Sequence, residues 1–148
     1  MKENFGFTKD ERLHHRSLVE GLFRKGRSFY EFPFRVTWRQ LSGEQLQMNF
    51  RNVVPEGIGK LQMMVTVPKK KRRHAVDRVL MRRRIREAYR LNRLPFKAAL
   101  QEVDSLRTFS LALVYVHDKN LPYNVVEEKM ISLLDKLSKK LPPLPHAD

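Results

Sequence analysis

The sequence predicts an α+β fold, in which about three helices pack on a four-stranded, mostly antiparallel sheet. Two observations lead to this class. Hydrophobic residues make up 41% of the 148 residues and are spread along the chain, as a compact core requires. Segments with helical spacing and segments with alternating spacing follow one another in the order helix, three strands, helix, strand, helix. We therefore expect a single domain over residues 1–148, with frayed tails at 1–8 and 142–148.

The first half of the chain carries one predicted helix and two predicted strands. Residues 9–25 have apolar side chains three and four residues apart, and Gly26 stands where such a helix would end. Residues 34–40 alternate between an apolar face and a basic face. The apolar face consists of Phe34, Val36 and Trp38. Residues 46–54 alternate in the same way, so we expect the two strands to form a hairpin.

The second half predicts two strands and up to three helices. Residues 61–67 are apolar on nearly both sides, which indicates a central strand. Residues 74–92 give the longest helix, which should end shortly before a proline. We expect the remaining elements to be a short helix at 96–103, a fourth strand at 109–116 and an amphipathic helix at 123–141.

The chain is strongly basic. Thirty lysines and arginines against sixteen acids give a formal net charge of +14, which points to nucleic acid or another polyanion as partner. No apolar run approaches the roughly 18 residues of a spanning helix, and the first seven residues lack the apolar core of a secretory signal. The absence of cysteine excludes disulfides and cysteine-ligated zinc. We expect a cytoplasmic protein without membrane contact or an obligate protein partner.

The positive charge is concentrated in one segment. Twelve lysines and arginines lie between Lys69 and Arg93, against only Asp77 and Glu87. On a helix, five of the arginines share a sector of about 100°. They are Arg82, Arg83, Arg86, Arg90 and Arg93. The opposite, packing sector contains Met81, Ile85 and Ala88, and also Arg84, which would have to extend to water. A solvated face is the usual meaning of such a run, but clustered guanidiniums repel one another unless phosphates neutralise them.

Two stretches of this segment form a recognisable signature. They are Thr66-Val-Pro-Lys-Lys70 and Ala75-Val-Asp-Arg-Val-Leu-Met-Arg-Arg-Arg-Ile-Arg-Glu-Ala-Tyr-Arg90. The signature resembles that of the protein component of bacterial ribonuclease P, and a looser resemblance extends over residues 6–140. The family core reads Arg-Asn-Arg where this chain has Arg78-Val79-Leu80, so only the first arginine is kept. The fold that the resemblance implies is the sandwich of the second domain of ribosomal protein S5.

The resemblance also implies a function. In this family a partner RNA is the catalyst and uses Mg²⁺ to remove the 5′ leader from precursor tRNA. The protein supplies no catalytic residue and holds no metal with its own side chains. The implied partners are ribonuclease P RNA and precursor tRNA. The residues implied to bind RNA are Lys69, Lys70, Arg73, Arg78, Arg82, Arg83, Arg86 and Arg90.

A cleft for the single-stranded leader, between the first helix and the sheet, is a further implication of the resemblance. The matching positions are Val19, Phe23, Phe34, Val36 and Trp38. An aromatic side chain in such a cleft stacks on any base without sequence preference. Aromatic residues at helical or strand spacing are, however, part of a core more often than part of a binding site.

Other functions are weighed against this one. A structural RNA- or DNA-binding protein, ribosomal or nucleoid, would explain the charge equally well, but the signature and the element order favour ribonuclease P. A membrane-surface protein is disfavoured because Tyr89 is the only large aromatic residue on the apolar face of the basic helix. The acids are scattered and the histidines lack metal-ligand spacing, so a self-contained nuclease is also disfavoured. The weak catalytic candidates are Asp104, His117 and Asp118.

Overall fold

The computed structural model describes residues 8–141, so the predicted tails lie outside the described residues apart from Thr8. A 3-10 turn at Lys9–Glu11 comes first. The elements that follow are α1 (Arg16–Lys25), β1 (Arg27–Glu31), β2 (Phe34–Leu41), α2 (Gly43–Asn49), β3 (Leu61–Thr66), α3 (Ala75–Asn92), α4 (Leu94–Gln101), β4 (Thr108–Tyr115) and α5 (Tyr123–Lys139).

The four strands form one sheet in the order β1-β2-β4-β3. β2 lies antiparallel to both β1 and β4, whereas β3 lies parallel to β4. This confirms the predicted α+β class and the mostly antiparallel sheet, although the described residues form five α-helices rather than about three. The predicted elements that became β2, α3, α4, β4 and α5 are confirmed to within a few residues.

The two faces of the sheet bury different clusters. Val36 of β2 lies beside Leu113 of β4 in the register, and both belong to the main core, which α3, α4 and α5 cover. One residue further along each strand, the side chains point to the other face. There Ala112 of β4 joins a smaller core with Leu22 of α1 and Leu46 of α2. Each residue of a central strand is therefore assigned to one side of the molecule by the two-residue period of the strand.

The strand predicted over residues 46–54 is wrong, because most of this segment belongs to α2 or the turn after it. A capping box starts the helix. The Ser42 hydroxyl accepts a hydrogen bond from the backbone N–H of Gln45 at 3.2 Å, and the Gln45 side chain accepts one from the N–H of Ser42 at 2.9 Å. Leu46 is buried but Met48 is 77% exposed, so the apolar alternation did not reflect a buried strand face.

The hairpin partner of β2 is β1, which the sequence did not predict. The pairing runs from Arg27 beside Trp38 to Glu31 beside Phe34. β1 is a largely exposed edge strand, and Tyr30 on it is 61% exposed. Since one face of β1 is barely buried, it lacks the apolar alternation by which strands are identified.

β3 was predicted to be central but lies at an edge of the sheet. The N-terminal segment covers its outer side, where the N–H of Leu13 donates to the carbonyl of Met63 at 3.1 Å. Because this segment is extended, α1 begins at Arg16 and not near residue 9. Met63 belongs to the main core and Met64 packs against the smaller one, so burial on both faces gave β3 the composition of a central strand.

A buried ion pair fixes the N-terminal segment to the end of α3. The Nε of Arg93 lies 2.7 Å from Oε2 of Glu11, and its Nη2 lies 3.1 Å from Oε1. The two side chains are only 1% and 4% exposed, and Lys97 Nζ lies 3.6 Å from the same carboxylate. The prediction that Arg93 belongs to the exposed basic face is therefore wrong. Burial alone would raise the pKa of Glu11, but the hydrogen bond and charge of Arg93 and the charge of Lys97 lower it below its usual value.

We predict that Glu11→Gln lowers the free energy of unfolding by about 3 kcal/mol, because Arg93 is then buried without its counter-charge. Urea denaturation followed by circular dichroism measures the loss. Since the pKa of Glu11 is lowered on folding, its contribution is present above about pH 4.5, the usual glutamate value, and is lost as the pH falls further. The difference between the wild type and the variant should therefore shrink in acid.

The control is Glu20→Gln, which removes an exposed ion pair with Arg16. Side chains that are 92% and 55% exposed contribute at most about 0.5 kcal/mol through such a pair. Equal losses of unfolding free energy from the two variants would contradict the conclusion that the buried ion pair between Glu11 and Arg93 stabilises the fold.

Candidate nucleic-acid interface

α3 is positioned by its apolar face. Met81, Ile85 and Ala88 are fully buried in the main core, as predicted, and Tyr89 extends the same face. Burial raises the pKa of the Tyr89 hydroxyl far above its usual value, so this side chain stays neutral. The helix packs on β3 and α5 through these residues. With this face fixed, the period of 3.6 residues determines which side chains point outward.

Three arginines of α3 point outward without a counter-ion. Arg83 and Arg86 are exposed and Arg82 is half-buried. Within residues 8–141, no carboxylate forms an ion pair with any of the three. Partial burial, followed by the charges of Arg82 and Arg12, lowers the pKa of Arg86. The guanidiniums therefore repel one another, and a bound anion would relieve that repulsion. The sequence did not reveal that Arg12, from the N-terminal segment, lies close enough to act on Arg86.

Two other arginines of α3 are held by the protein itself. The guanidinium of Arg90 makes two hydrogen bonds to Glu87, at 3.0 and 2.8 Å. Arg84 was expected to extend to water, but its Nη1 donates to the carbonyl of Leu121 at 2.5 Å. Arg90 remains at the edge of the basic face, while Arg84 joins α3 to the segment that precedes α5.

The segment between β3 and α3 is a basic loop. Its conformation is held by Arg72, which was not among the residues predicted to bind RNA. Lys69, Lys70 and Arg73 are exposed. Arg72 instead points inward, where it contacts the carbonyl of Asp118 at 2.6 Å and the side chains of Asn120 and Asp77 at 3.0 and 3.1 Å. Arg78, predicted to bind RNA, donates from Nη1 to the carbonyls of Arg72 and Arg73, both at 2.9 Å. The loop is thus held against α3, and three cations of the predicted set face outward.

Of the two residues that depart from the family core, only Val79 lies in the basic sector of α3. Val79 is 45% exposed and Leu80 is half-buried. Val79 stands one turn from Arg82 and Arg83 along α3, so an apolar side chain interrupts the basic surface at the position where the family has an amide.

The predicted leader cleft is corrected by the structure. Phe34, Val36 and Trp38 are buried in the main core, beneath α3, α4 and α5. α1 packs on the other face of the sheet, so these three side chains do not meet Val19 and Phe23. Val19 is half-buried against the smaller core, whereas Phe23 is 49% exposed. Of the five predicted positions, only Phe23 offers an aromatic ring to solvent.

The face that α1 shares carries a different row of accessible side chains. In the strand register Tyr30 lies beside Arg35, Arg35 beside Val114, and Val114 beside Thr66. Tyr30 and Arg35 are exposed, and Val114 and Thr66 are half-buried. This register row crosses all four strands at the end of the sheet where the basic loop begins. The alternation of β2 in the sequence already placed Arg35 on the other sheet face from Trp38. This was the sequence signal that could have located the accessible row.

The structure shows neither a metal centre nor a membrane span in the part of the chain it describes. Among residues 8–141, no group of three or more acid or histidine side chains could hold a metal ion. No helix in that range is long and apolar enough to cross a membrane. Asp104 is exposed, and His117 Nδ1 lies 3.9 Å from Asp118 at the end of β4, so the weak catalytic candidates form only a loose pair.

The fold and this surface define a class: a small α+β protein with a basic helix of the kind that binds nucleic acid. A family model described as Ribonuclease P matches residues 7–138, and the chain belongs to this family. The ribonuclease P protein component of Porphyromonas gingivalis, matched in two strains, is 32% identical over 138 residues, which cover 93% of this chain and 90% of the relative. Membership implies a tRNA-processing ribonuclease holoenzyme and ribonuclease P RNA as partner.

Solved structures agree on the fold. The ribonuclease P protein of Staphylococcus aureus superposes with a TM-score of 0.55 at 16% identity, covering 87% of this chain and 95% of that one. The protein from Thermotoga maritima gives a TM-score of 0.57 at 21% identity, covering 85% and 96%. At these identities the likeness concerns the arrangement of helices and strands.

We predict that Arg72→Ala lowers the free energy of unfolding by about 2 kcal/mol, because it removes three charge-assisted contacts of a largely buried side chain. Its neighbour supplies the control: Arg73→Ala should change stability by less than about 0.5 kcal/mol, since that side chain is exposed. Thermal unfolding of both variants measures the difference. A larger loss of stability from Arg73→Ala than from Arg72→Ala would show that Arg73, and not Arg72, holds the loop in place.

Proposed function

We propose that this protein is the accessory subunit of ribonuclease P, and that it assists a catalytic RNA in removing the 5′ leader of precursor tRNA. The observation that carries the proposal is the group Arg82, Arg83 and Arg86, which have no counter-ion within the described chain and lie on the helix that follows the exposed cations of the basic loop. The protein supplies binding and no catalytic group. Mg²⁺ belongs to the RNA–protein complex and is not held by protein side chains alone.

Arginine on phosphate suits this role. The planar guanidinium binds phosphate oxygens through two parallel hydrogen bonds, and phosphate contacts fix orientation without reading sequence. A subunit that serves many precursor tRNAs needs affinity that does not depend on base identity. Lys69, Lys70 and Arg73 extend the same surface, so one RNA helix or loop can contact both the basic loop and α3.

The leader is assigned to the register row on the other face of the sheet. Phe23 and Tyr30 offer accessible aromatic rings there, and Arg35 offers a cation between them and the basic loop. A base stacked on an aromatic ring gains about 1–3 kcal/mol whatever its identity. This row takes the place of the cleft that the sequence placed at Phe34, Val36 and Trp38.

Replacing Arg82, Arg83 and Arg86 together with Ala should lower the slope of log K against log salt, for binding to ribonuclease P RNA, by about 0.9 for each phosphate that the variant no longer neutralises. The fold should persist because none of the three supports the core. The matched control replaces Arg51, Lys119 and Lys129, which form no ion pair within residues 8–141, and should leave the slope nearly unchanged. Similar slopes for both triple variants would remove α3 from the interface.

Tyr30→Ala should weaken binding of leader-bearing precursor tRNA to the reconstituted complex by roughly 5- to 160-fold, the loss of one stacked base. Binding of mature tRNA should not change. Tyr30→Phe keeps the ring and should keep the affinity. Equal losses with and without the leader would show that Tyr30 acts elsewhere.

The function itself is tested by cleavage of precursor tRNA at low Mg²⁺ concentration by ribonuclease P RNA, with and without the protein. We expect the protein to be inactive alone and to restore cleavage at the mature 5′ end when RNA is present. Binding to the RNA without any change in the cleavage rate would instead indicate a structural RNA-binding protein.

A further inference from the structure

A second basic cleft lies at the other end of the sheet. Its floor is Arg39 of β2, and α1, α2 and the residue after α5 form its walls. Two cavities of 520 and 390 Å³ share Lys25, Arg39 and Gln45 and therefore adjoin at this end of the sheet. The first lies between α1 and α2, and the second reaches the ring of Trp38 at the end of the main core. Arg39 pairs in the register with Ser110 of β4, at the end of the sheet where β3 begins, whereas the basic loop follows the end of β3. The cleft is thus separate from α3.

The charges in this cleft have one sign. The cations lining it are Arg24, Lys25, Arg27, Arg39 and Lys140, and no carboxylate lines either cavity. None of the five forms an ion pair with any carboxylate of residues 8–141. Two of them are held against rings: Arg27 lies 5.7 Å from the centre of the Trp38 ring, and Lys140 lies 5.3 Å from that of Phe29.

Arg39 is the most constrained of these cations. It is half-buried, and its guanidinium makes no hydrogen bond to the rest of the described chain. Its Nη1 occupies the place where a side chain at position 21 would begin, so Gly21 leaves the room that the guanidinium fills. Desolvation by burial, and after it the charge of Arg24, lowers the pKa of Arg39. A half-buried cation with these neighbours costs stability unless an anion joins it.

One amide group adds a hydrogen-bond donor. Gln45, which lines both cavities, uses its side-chain oxygen in the capping box of α2, at 2.9 Å from the N–H of Ser42, and this orients its own nitrogen away from the backbone. Cations and an amide donor around a half-buried arginine are the groups that bind phosphate oxygens.

We propose that this cleft is a second phosphodiester-binding site, which takes a segment of RNA backbone at the opposite end of the sheet from the basic loop. The inference depends on the proposed function only in taking RNA as the partner. The backbone that enters the cleft has two possible sources, the catalytic RNA and the upstream part of the precursor leader. α2 builds one wall, so the site depends on a helix that the family signature does not contain.

The first test replaces Arg24 and Lys25 together with Ala and compares binding to ribonuclease P RNA with that of a Lys119→Ala, Lys129→Ala control. If the cleft holds the catalytic RNA, the salt slope should fall by about 2, so that the affinity advantage of the wild type shrinks about tenfold between 50 and 200 mM salt. The control should keep the wild-type slope. A second arm measures binding of precursor tRNAs with short and long leaders to the reconstituted complex.

If affinity falls only for ribonuclease P RNA, the cleft holds the catalytic RNA. If affinity falls only for precursor tRNAs with long leaders, the cleft holds the leader. If the double variant matches the control in both arms, the second site is overturned. That result leaves the proposed function untouched, because the α3 variants test that function separately.

Arg39→Met separates binding from a structural role, since it keeps the apolar stem and removes the charge. We expect the melting temperature to stay the same or rise, because an unpaired half-buried cation is lost, while affinity for RNA falls. A lower melting temperature with an unchanged salt slope would show that Arg39 is structural and would overturn its place in the site.

Discussion

The apolar seam between α3 and the sheet is the constraint on which the rest of the structure depends. Met81, Ile85, Ala88 and Tyr89 are fully buried, so α3 cannot rotate about its axis without exposing them. Every other position of the helix is then fixed relative to the sheet. The backbone that carries the arginines is therefore fixed before any partner arrives, and a bound polyanion would have to order only their exposed side chains.

The carboxylates of the fold divide its arginines into two groups. One group is paired with carboxylates of the protein. Glu11 with Arg93 and Asp77 with Arg72 hold different segments together, whereas Glu87 pairs with Arg90 within α3. The other group faces outward with no counter-ion among residues 8–141, on α3 and in the cleft at Arg39. In the proposed function, stability depends on the first group and polyanion binding on the second, so we expect that the two properties can be changed independently.

The sequence predicted those parts of the fold that depend on long, regular patterns. The periodicity of α3 and α5 and the alternation of β2 were sufficient, and the basic signature pointed to the family. β1 was missed because an exposed edge strand has no apolar pattern, and α2 was misread because a capping box overrides a short alternation. The burial of Arg93 and the role of Arg72 depend on contacts between residues far apart in sequence. No local sequence pattern contains such contacts. The leader cleft was misplaced for the same reason, because the sequence does not show which face of the sheet α1 covers.

The central claim is that the outward surface of α3 lies against ribonuclease P RNA. The chain has no cysteine, so a single one introduced as Val79→Cys can carry a tethered iron chelate that cleaves nearby RNA, with Ile131→Cys on α5 as the matched exposed position. The account predicts localised cuts in the RNA from position 79 and much weaker cuts from position 131. No cuts from position 79, or the same pattern from both positions, would contradict it.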